Sequence, residues 1–142
     1  MIAGSKGPRV FYLFLRHYQK IAGILETELR EQGLTPGQYT VMSALQRFEP
    51  CTSAEIARKE KMTAQSMGEK LATLESKGLI ERNYIGKNRR DLMVRRTDQG
   101  IEIQKECDSK VLAAEQRYMS SLPEEERDHF LEQLRYLYLI QK

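Results

Sequence analysis

The stretch from Thr52 to Thr97 constrains this chain more than any other. Its hydrophobic period changes there from helical to alternating, and each change is marked by a residue that starts or stops an element. Thr52-Ser53-Ala54-Glu55 has the spacing of a capping box, in which the threonine hydroxyl takes the amide three residues on and the glutamate reaches back. It opens a short helix with Ile56 and Ala57 inward, and Lys61-Met62 makes a turn. Thr63 caps a second helix whose Met67, Leu71 and Leu74 share one face, ending near Lys77-Gly78, where glycine can take the left-handed conformation. Leu79 to Ile85 and Leu92 to Thr97 then read as two short strands around the polar loop Gly86-Lys87-Asn88-Arg89-Arg90-Asp91. Two capped helices across a tight turn, followed by a hairpin with a basic tip, make a winged helix-turn-helix.

The flanking segments are helical. Phe11, Phe14, Tyr18, Ile21, Ala22, Leu25 and Leu29 form one stripe between about Arg9 and Gln32, with Pro8 at its start and Gly33 as its stop. Thr35-Pro36 begins a second helix with Tyr39, Met42, Leu45 and Phe48 as its buried face, and Pro50 ends it. Thr97 caps a long helix to about Ser121, with Ile103, Cys107, Val111, Ala114 and Tyr118 inward. Pro123 and the acids Glu124, Glu125 and Glu126 start the last helix, whose stripe is Phe130, Leu131, Leu134, Leu137 and Tyr138. The expected fold is therefore mainly α with a small β-hairpin wing. A single protomer spans 1–142, with a winged helix-turn-helix core at about 35–100 and long dimerisation helices at about 9–32 and 101–142. The terminal helices carry more apolar surface than one chain of this length can cover, including Val10, Phe11, Phe14, Tyr136, Leu137, Tyr138, Leu139 and Ile140. A twofold homodimer would bury them and set two recognition helices about one DNA turn, roughly 34 Å, apart.

The second helix of the pair suits the major groove of double-stranded DNA, where N-terminal side chains reach base edges. Those residues are Thr63, Ala64, Gln65 and Ser66, with Lys70 and Thr73 further along. Gln65 can pair with adenine N7 and N6, and Thr63 or Ser66 can bond a phosphate or a base. At the hairpin tip, Lys87, Asn88, Arg89 and Arg90 complete the candidate DNA-binding set, since arginine suits the negative potential of a narrow minor groove. Charge distribution agrees. Of 23 basic and 20 acidic residues, 11 and 7 lie between Cys51 and Gly100, so the excess of positive charge sits in the middle of the chain.

These pieces, in this order and without gaps, resemble the MarR family of bacterial transcription regulators over about Arg9 to Ile140. The resemblance is carried by Gly33-Leu34-Thr35-Pro36-Gly37-Gln38-Tyr39, by the run from Thr52-Ser53-Ala54-Glu55-Ile56-Ala57 through Leu74-Glu75-Ser76-Lys77-Gly78-Leu79-Ile80-Glu81-Arg82, and by Asn88-Arg89-Arg90 followed by Thr97 and Gly100. It implies a triangular homodimer, a pseudo-palindromic operator, repression as the commoner mode, and Arg90 as the wing arginine. It also implies release from DNA by a small aromatic or phenolic effector, held in a ligand pocket for which His17, Tyr18, Tyr39 and Met42 are the candidates. Three positions depart from the family pattern. Asn88 replaces the wing aspartate, Glu69 stands where a basic or small residue is common, and Arg96 occupies a usually apolar position of the second strand.

Other classes find little support. The sequence has no Gly-rich phosphate loop, no HExxH and no nucleophile elbow, so the chain is not expected to be an enzyme and no catalytic residue or cofactor is assigned. His17 and His129 lie far from any Cys/His cluster, so no metal site is expected. Cys51, read as part of a loop, and Cys107 are expected to be reduced thiols. No apolar run approaches the roughly 20 residues that cross a bilayer, and the start of the chain does not read as a secretory signal, so the expected location is cytoplasmic, with no membrane partner. A winged helix used only for protein contact is the remaining rival, and it would bury Gln65, Lys70, Arg89 and Arg90 against protein.

Overall fold

The computed structural model of the protein describes residues 7–84 and 91–141. Helix α1 (Val10–Leu29) runs into a single 3-10 turn (Arg30–Gln32), which Gly33 ends at φ +73°, in the left-handed region where glycine costs least. Helix α2 (Pro36–Phe48) starts at a capping box between Thr35 and Gln38. Strand β1 (Cys51–Thr52) leads directly into α3 (Ser53–Lys59), opened by the Thr52–Glu55 capping box. Lys61, at φ +52°, closes the turn to α4 (Ala64–Ser76), which Thr63 caps by accepting the Ser66 amide at 3.0 Å. Gly78 stops α4 at φ +76°. Strands β2 (Ile80–Tyr84) and β3 (Leu92–Arg96) pair antiparallel, from Ile80 opposite Arg96 to Tyr84 opposite Leu92. Helices α5 (Asp98–Tyr118) and α6 (Glu124–Ile140) complete the chain.

One core unites α2, α3, α4 and the sheet. Leu29, Val41, Met42, Leu45, Ile56, Met67, Leu71, Leu74 and Val94 are fully or almost fully buried in it. Each such side chain contributes about 2 kcal/mol by leaving water, so α4 is held by its Met67–Leu71–Leu74 stripe while its opposite face stays free. Burial of α1 is confined to its C-terminal end, where Leu29 enters the core and Leu25 packs on it. Helix α6 contributes no residue to the core and packs substantially on no other element among the described residues.

Three readings need correction. The hairpin is part of a three-stranded sheet in the order β1-β3-β2, with Cys51 opposite Val94 and Thr52 opposite Met93, so Cys51 lies in a buried strand and not in a loop. Phe48 is not core: it is 37% exposed at the last residue of α2, and the Lys59 ammonium covers its ring 4.2 Å from the centroid. Arg96 does not disturb its strand, because Glu49 and Gln104 satisfy it.

The start of α5 is pinned against the end of α4. The Thr97 amide donates to the Leu79 carbonyl at 3.0 Å, its hydroxyl donates to the Gly78 carbonyl at 2.6 Å, and the Gly100 amide donates to that hydroxyl at 3.0 Å. Gly100 is buried there, and a Cβ on it would lie 2.0 Å from the Leu79 carbonyl oxygen. Backbone cannot step aside as a side chain can. Gly100→Ala is therefore expected to destabilise the fold by about 3 kcal/mol or more, read as a lower urea midpoint at unchanged slope. A midpoint equal to wild type would show that the two segments can separate freely.

Candidate nucleic-acid interface

The first turn of α4 is exposed at Thr63, Ala64 and Gln65, and Ser66 is half-buried. Their hydrogen bonds divide them by what they can still offer. The Thr63 oxygen accepts the Ser66 amide, so its own proton remains free to donate. Gln65 has no side-chain partner among the described residues and presents a whole amide. Ser66 accepts from the Lys70 ammonium at 3.2 Å, which also leaves its proton available. Thr73 differs: its hydroxyl donates to the Glu69 carbonyl of its own helix at 3.1 Å, so it can only accept and cannot donate to a phosphate in this rotamer. Glu69 is exposed on the same helix. Lys70 is half-buried, forms no ion pair among the described residues, and lays its stem across the start of α2 at Gly37.

Lys87, Asn88, Arg89 and Arg90 lie outside the described residues. The root of the hairpin is described, and a polar chain ties it down. The Glu49 carboxylate takes the Arg96 backbone amide at 2.8 Å and its guanidinium at 2.8 Å and 3.2 Å. Pro50, which follows Glu49 through a cis bond, has no amide to give the sheet, and the Glu49 side chain serves the end of β3 next to the β1 pairing. Arg96 also donates to Gln104 Oε1 at 2.9 Å, and Gln104 donates on to Gln46 Oε1 at 2.9 Å. Gln104 is 1% exposed and fully occupied by this chain. Burial alone would raise the Glu49 carboxyl, but the hydrogen bonds and charge of Arg96, with Arg95, outweigh it and hold its pKa below the ordinary 4.5.

The four residues assigned to an effector pocket differ in exposure and in hydrogen-bond partners. Met42 is sealed in the core. Tyr39 donates to Asp108 at 2.5 Å, and burial followed by that carboxylate raises its phenol well above the usual range. His17 Nδ1 lies 2.5 Å from the Tyr118 hydroxyl, and Tyr18 is 70% exposed. A groove of about 620 Å³ between α1 and α5 is lined by Lys20, Ile24, Glu28, Ala114, Arg117 and Tyr118; of these the sequence marks only Ala114 and Tyr118, and those as the inward face of α5 rather than as a pocket. Both cysteines are buried and free. Burial pushes Cys51 up and lifts Cys107 to about 11, so neither presents a thiolate at neutral pH. No cluster of three metal-ligating side chains occurs among the described residues, and no described helix is long and apolar enough to cross a membrane.

Comparison with known proteins gives a consistent picture. Residues 32–91 match the model of the MarR family. The chain is 31% identical over 109 residues to the HTH-type transcriptional repressor MdtR of Bacillus subtilis, covering 77% of this chain and 70% of that protein. The fold is similar to that of a MarR family protein of Mycobacterium tuberculosis in complex with DNA, at 25% identity and a TM-score of 0.80 over 92% of this chain and 98% of that one. It is also similar to that of Bordetella bronchiseptica BpsR, whose DNA binding is regulated by 6-hydroxynicotinic acid, at 20% identity and a TM-score of 0.80 over 94% and 96% of the two chains.

The anchor at the hairpin root has a measurable consequence. Because the folded carboxyl of Glu49 sits below its unfolded value, its contribution is complete above about pH 4.5 and is lost as the pH falls through the lower folded value. Glu49→Gln is expected to cost about 2 kcal/mol at pH 7 and to flatten the acid limb of a stability profile recorded from roughly pH 3 to pH 6. A variant with the wild-type acid limb would show that Glu49 is not charged against Arg96.

Proposed function

The chain belongs to the MarR family and is a transcriptional regulator, and from that premise we propose that it acts as a homodimeric, sequence-specific repressor on a pseudo-palindromic double-stranded operator, released by a small aromatic or phenolic molecule. The observation that carries this reading is the division of α4. Its Met67–Leu71–Leu74 face is wholly buried, while Thr63, Ala64 and Gln65 stand in solvent with the Thr63 hydroxyl proton and the Gln65 amide unused. A helix so mounted can enter a major groove without disturbing the core. Arg89 and Arg90 are proposed as wing contacts on their sequence position, with Lys87 and Asn88 beside them. Among the α4 residues, Gln65 is proposed to read a base, Thr63 and Ser66 to donate to phosphate or base, and Thr73 to act only as an acceptor. Repression is supported by the name of the Bacillus subtilis relative.

Homodimerisation is supported by surface that the protomer leaves uncovered. Phe11, Tyr18, Tyr136, Tyr138 and Leu139 are each more than 60% exposed, and α6 packs substantially on no other element among the described residues. Large apolar side chains exposed in such number on two helices favour an interface. An aromatic effector is supported by the ligand of the Bordetella protein. His17, Tyr18 and Tyr39 are proposed to meet it in the dimer, with Met42 acting as core beneath them.

Selection from random duplex DNA is expected to return an inverted repeat. Against that site, Gln65→Ala is expected to lose about 1–3 kcal/mol, with little change on random duplex. Arg90→Ala is expected to weaken binding and lower the salt slope by roughly one unit per subunit. Equal losses from Gln65→Ala on both sequences would remove base reading by that residue, and retention of random sequence would remove specific recognition altogether. Light scattering is expected to give twice the 16.5 kDa chain mass at micromolar concentration, and a monomer mass would defeat the dimer reading.

A further inference from the structure

We propose that Gly37 is a positioning residue for DNA binding: its missing side chain makes the channel that holds Lys70 as a phosphate ligand. The inference rests on the reading that the exposed face of α4 meets DNA.

Gly37 stands at the second position of α2, directly after Pro36. Its backbone does not require glycine. The described glycines at positive φ are Gly33 and Gly78, and Gly37 is not among them. Alanine would suit a helix better, since glycine gives up more conformational freedom there. What occupies the space of a Cβ at Gly37 is the Lys70 side chain, with Cε 2.9 Å, Nζ 3.8 Å and Cδ 3.9 Å from where that atom would sit. Real Cβ atoms essentially never come so close, so any side chain at this position must move Lys70.

Lys70 meets no anionic group among the described residues. Its ammonium donates to the Ser66 hydroxyl at 3.2 Å and has no carboxylate partner among the described residues. An ammonium carries three protons, so two remain for another acceptor. Lys77, the C-cap of the same helix, also reaches back toward α2, but two of its three protons go to the Gly33 carbonyl and to Gln38 Oε1 at 3.3 Å, both acceptors within this chain. The α2–α4 seam therefore holds one lysine as a structural tie and leaves the other with capacity for a ligand. Lys70 lies against α2 rather than projecting along the groove-facing turn. It suits a phosphate at the groove edge better than a base, and its contribution should be insensitive to sequence.

The two roles of Gly37 predict opposite signs. Gly37→Ala is expected to hold or raise the thermal midpoint, because the helix gains alanine and the flexible end of Lys70 can swing away. It is expected to weaken operator and random duplex alike, roughly ten-fold, and to lower the salt slope by roughly one unit per subunit. Lys70→Met, which keeps the stem and removes the charge, is expected to do the same. In the Lys70→Met background, Gly37→Ala is expected to add nothing, so the double-mutant cycle shows full coupling.

Affinity and slope unchanged by Gly37→Ala, with wild type binding duplex normally, would overturn this inference and leave the DNA reading intact. Equal losses from Gly37→Ala with and without Lys70 would overturn it too, since Gly37 would then act by another route. Wild-type protein that binds no duplex at low ionic strength would remove the DNA reading and this inference together.

Discussion

The exposed face of α4, proposed to meet DNA, depends on the crossing where the chain leaves α4 and later enters α5. Thr97 gives its amide to Leu79 and its hydroxyl to Gly78, then accepts the Gly100 amide, while Gly100 lets the Leu79 carbonyl approach to a distance no side chain would permit. Helix α4 is thereby referenced to α5 by backbone, not by long flexible side chains. A second tie runs beside it. Glu49 holds Arg96 at the end of β3, and Arg96 reaches Gln104 on α5, which reaches Gln46 on α2. This loop of contacts starts and ends on α2 and takes in both the strand of the hairpin and the long helix. Its buried members have every partner they need, the condition under which a polar network adds definition to a core.

Much of this architecture could be read from sequence because its punctuation is local. Thr35, Thr52, Thr63 and Thr97 each cap the helix that follows them, and Gly33 and Gly78 each stop an element with positive φ. Cap chemistry involves residues three apart, so it survives without knowledge of the fold. What failed to show was non-local. Strand β1 has two residues, too few for any period, and its partner on β3 is more than forty residues away. Arg96 looked misplaced because its acceptor, Glu49, is 47 residues upstream. The stripe of α2 continues to Phe48, but periodicity does not say where the core stops.

The candidate site was legible in the same uneven way. Which face of α4 is free follows from its apolar spacing, so Thr63, Ala64 and Gln65 could be named in advance. Hydroxyl bookkeeping could not. Only coordinates show that Thr73 has spent its proton on Glu69 while Thr63 has kept its own. Lys70 was visible as a cation but not as one lying over Gly37, because that contact joins two helices. The candidate pocket residues rest on the family resemblance, and position on a helix does not separate the sealed Met42 from the exposed Tyr18.

The apolar ends and the recognition face are joined mechanically by α5. Its first turn is pinned at Leu79 and Gly78, whereas further along it meets the 3-10 turn through Lys110–Glu31 at 2.5 Å and α1 through Arg117–Glu28 at 2.9 Å and the Tyr118–His17 contact at 2.5 Å. These later contacts lie at the surface and contribute little energy each. Alongside them α5 packs on α1 with Ala114 buried, and its other end is tied by backbone to the end of α4, so that α4 follows α5. At 21 residues the helix is about 32 Å long, so a tilt of about 5° about its α1-facing end displaces its first turn, and the end of α4 tied to it, by about 3 Å. That is comparable to a hydrogen-bond length, enough to break a direct contact between Gln65 and a base edge. A ligand acting on the α1–α5 seam would need only a small rearrangement there, because the length of α5 supplies the amplification.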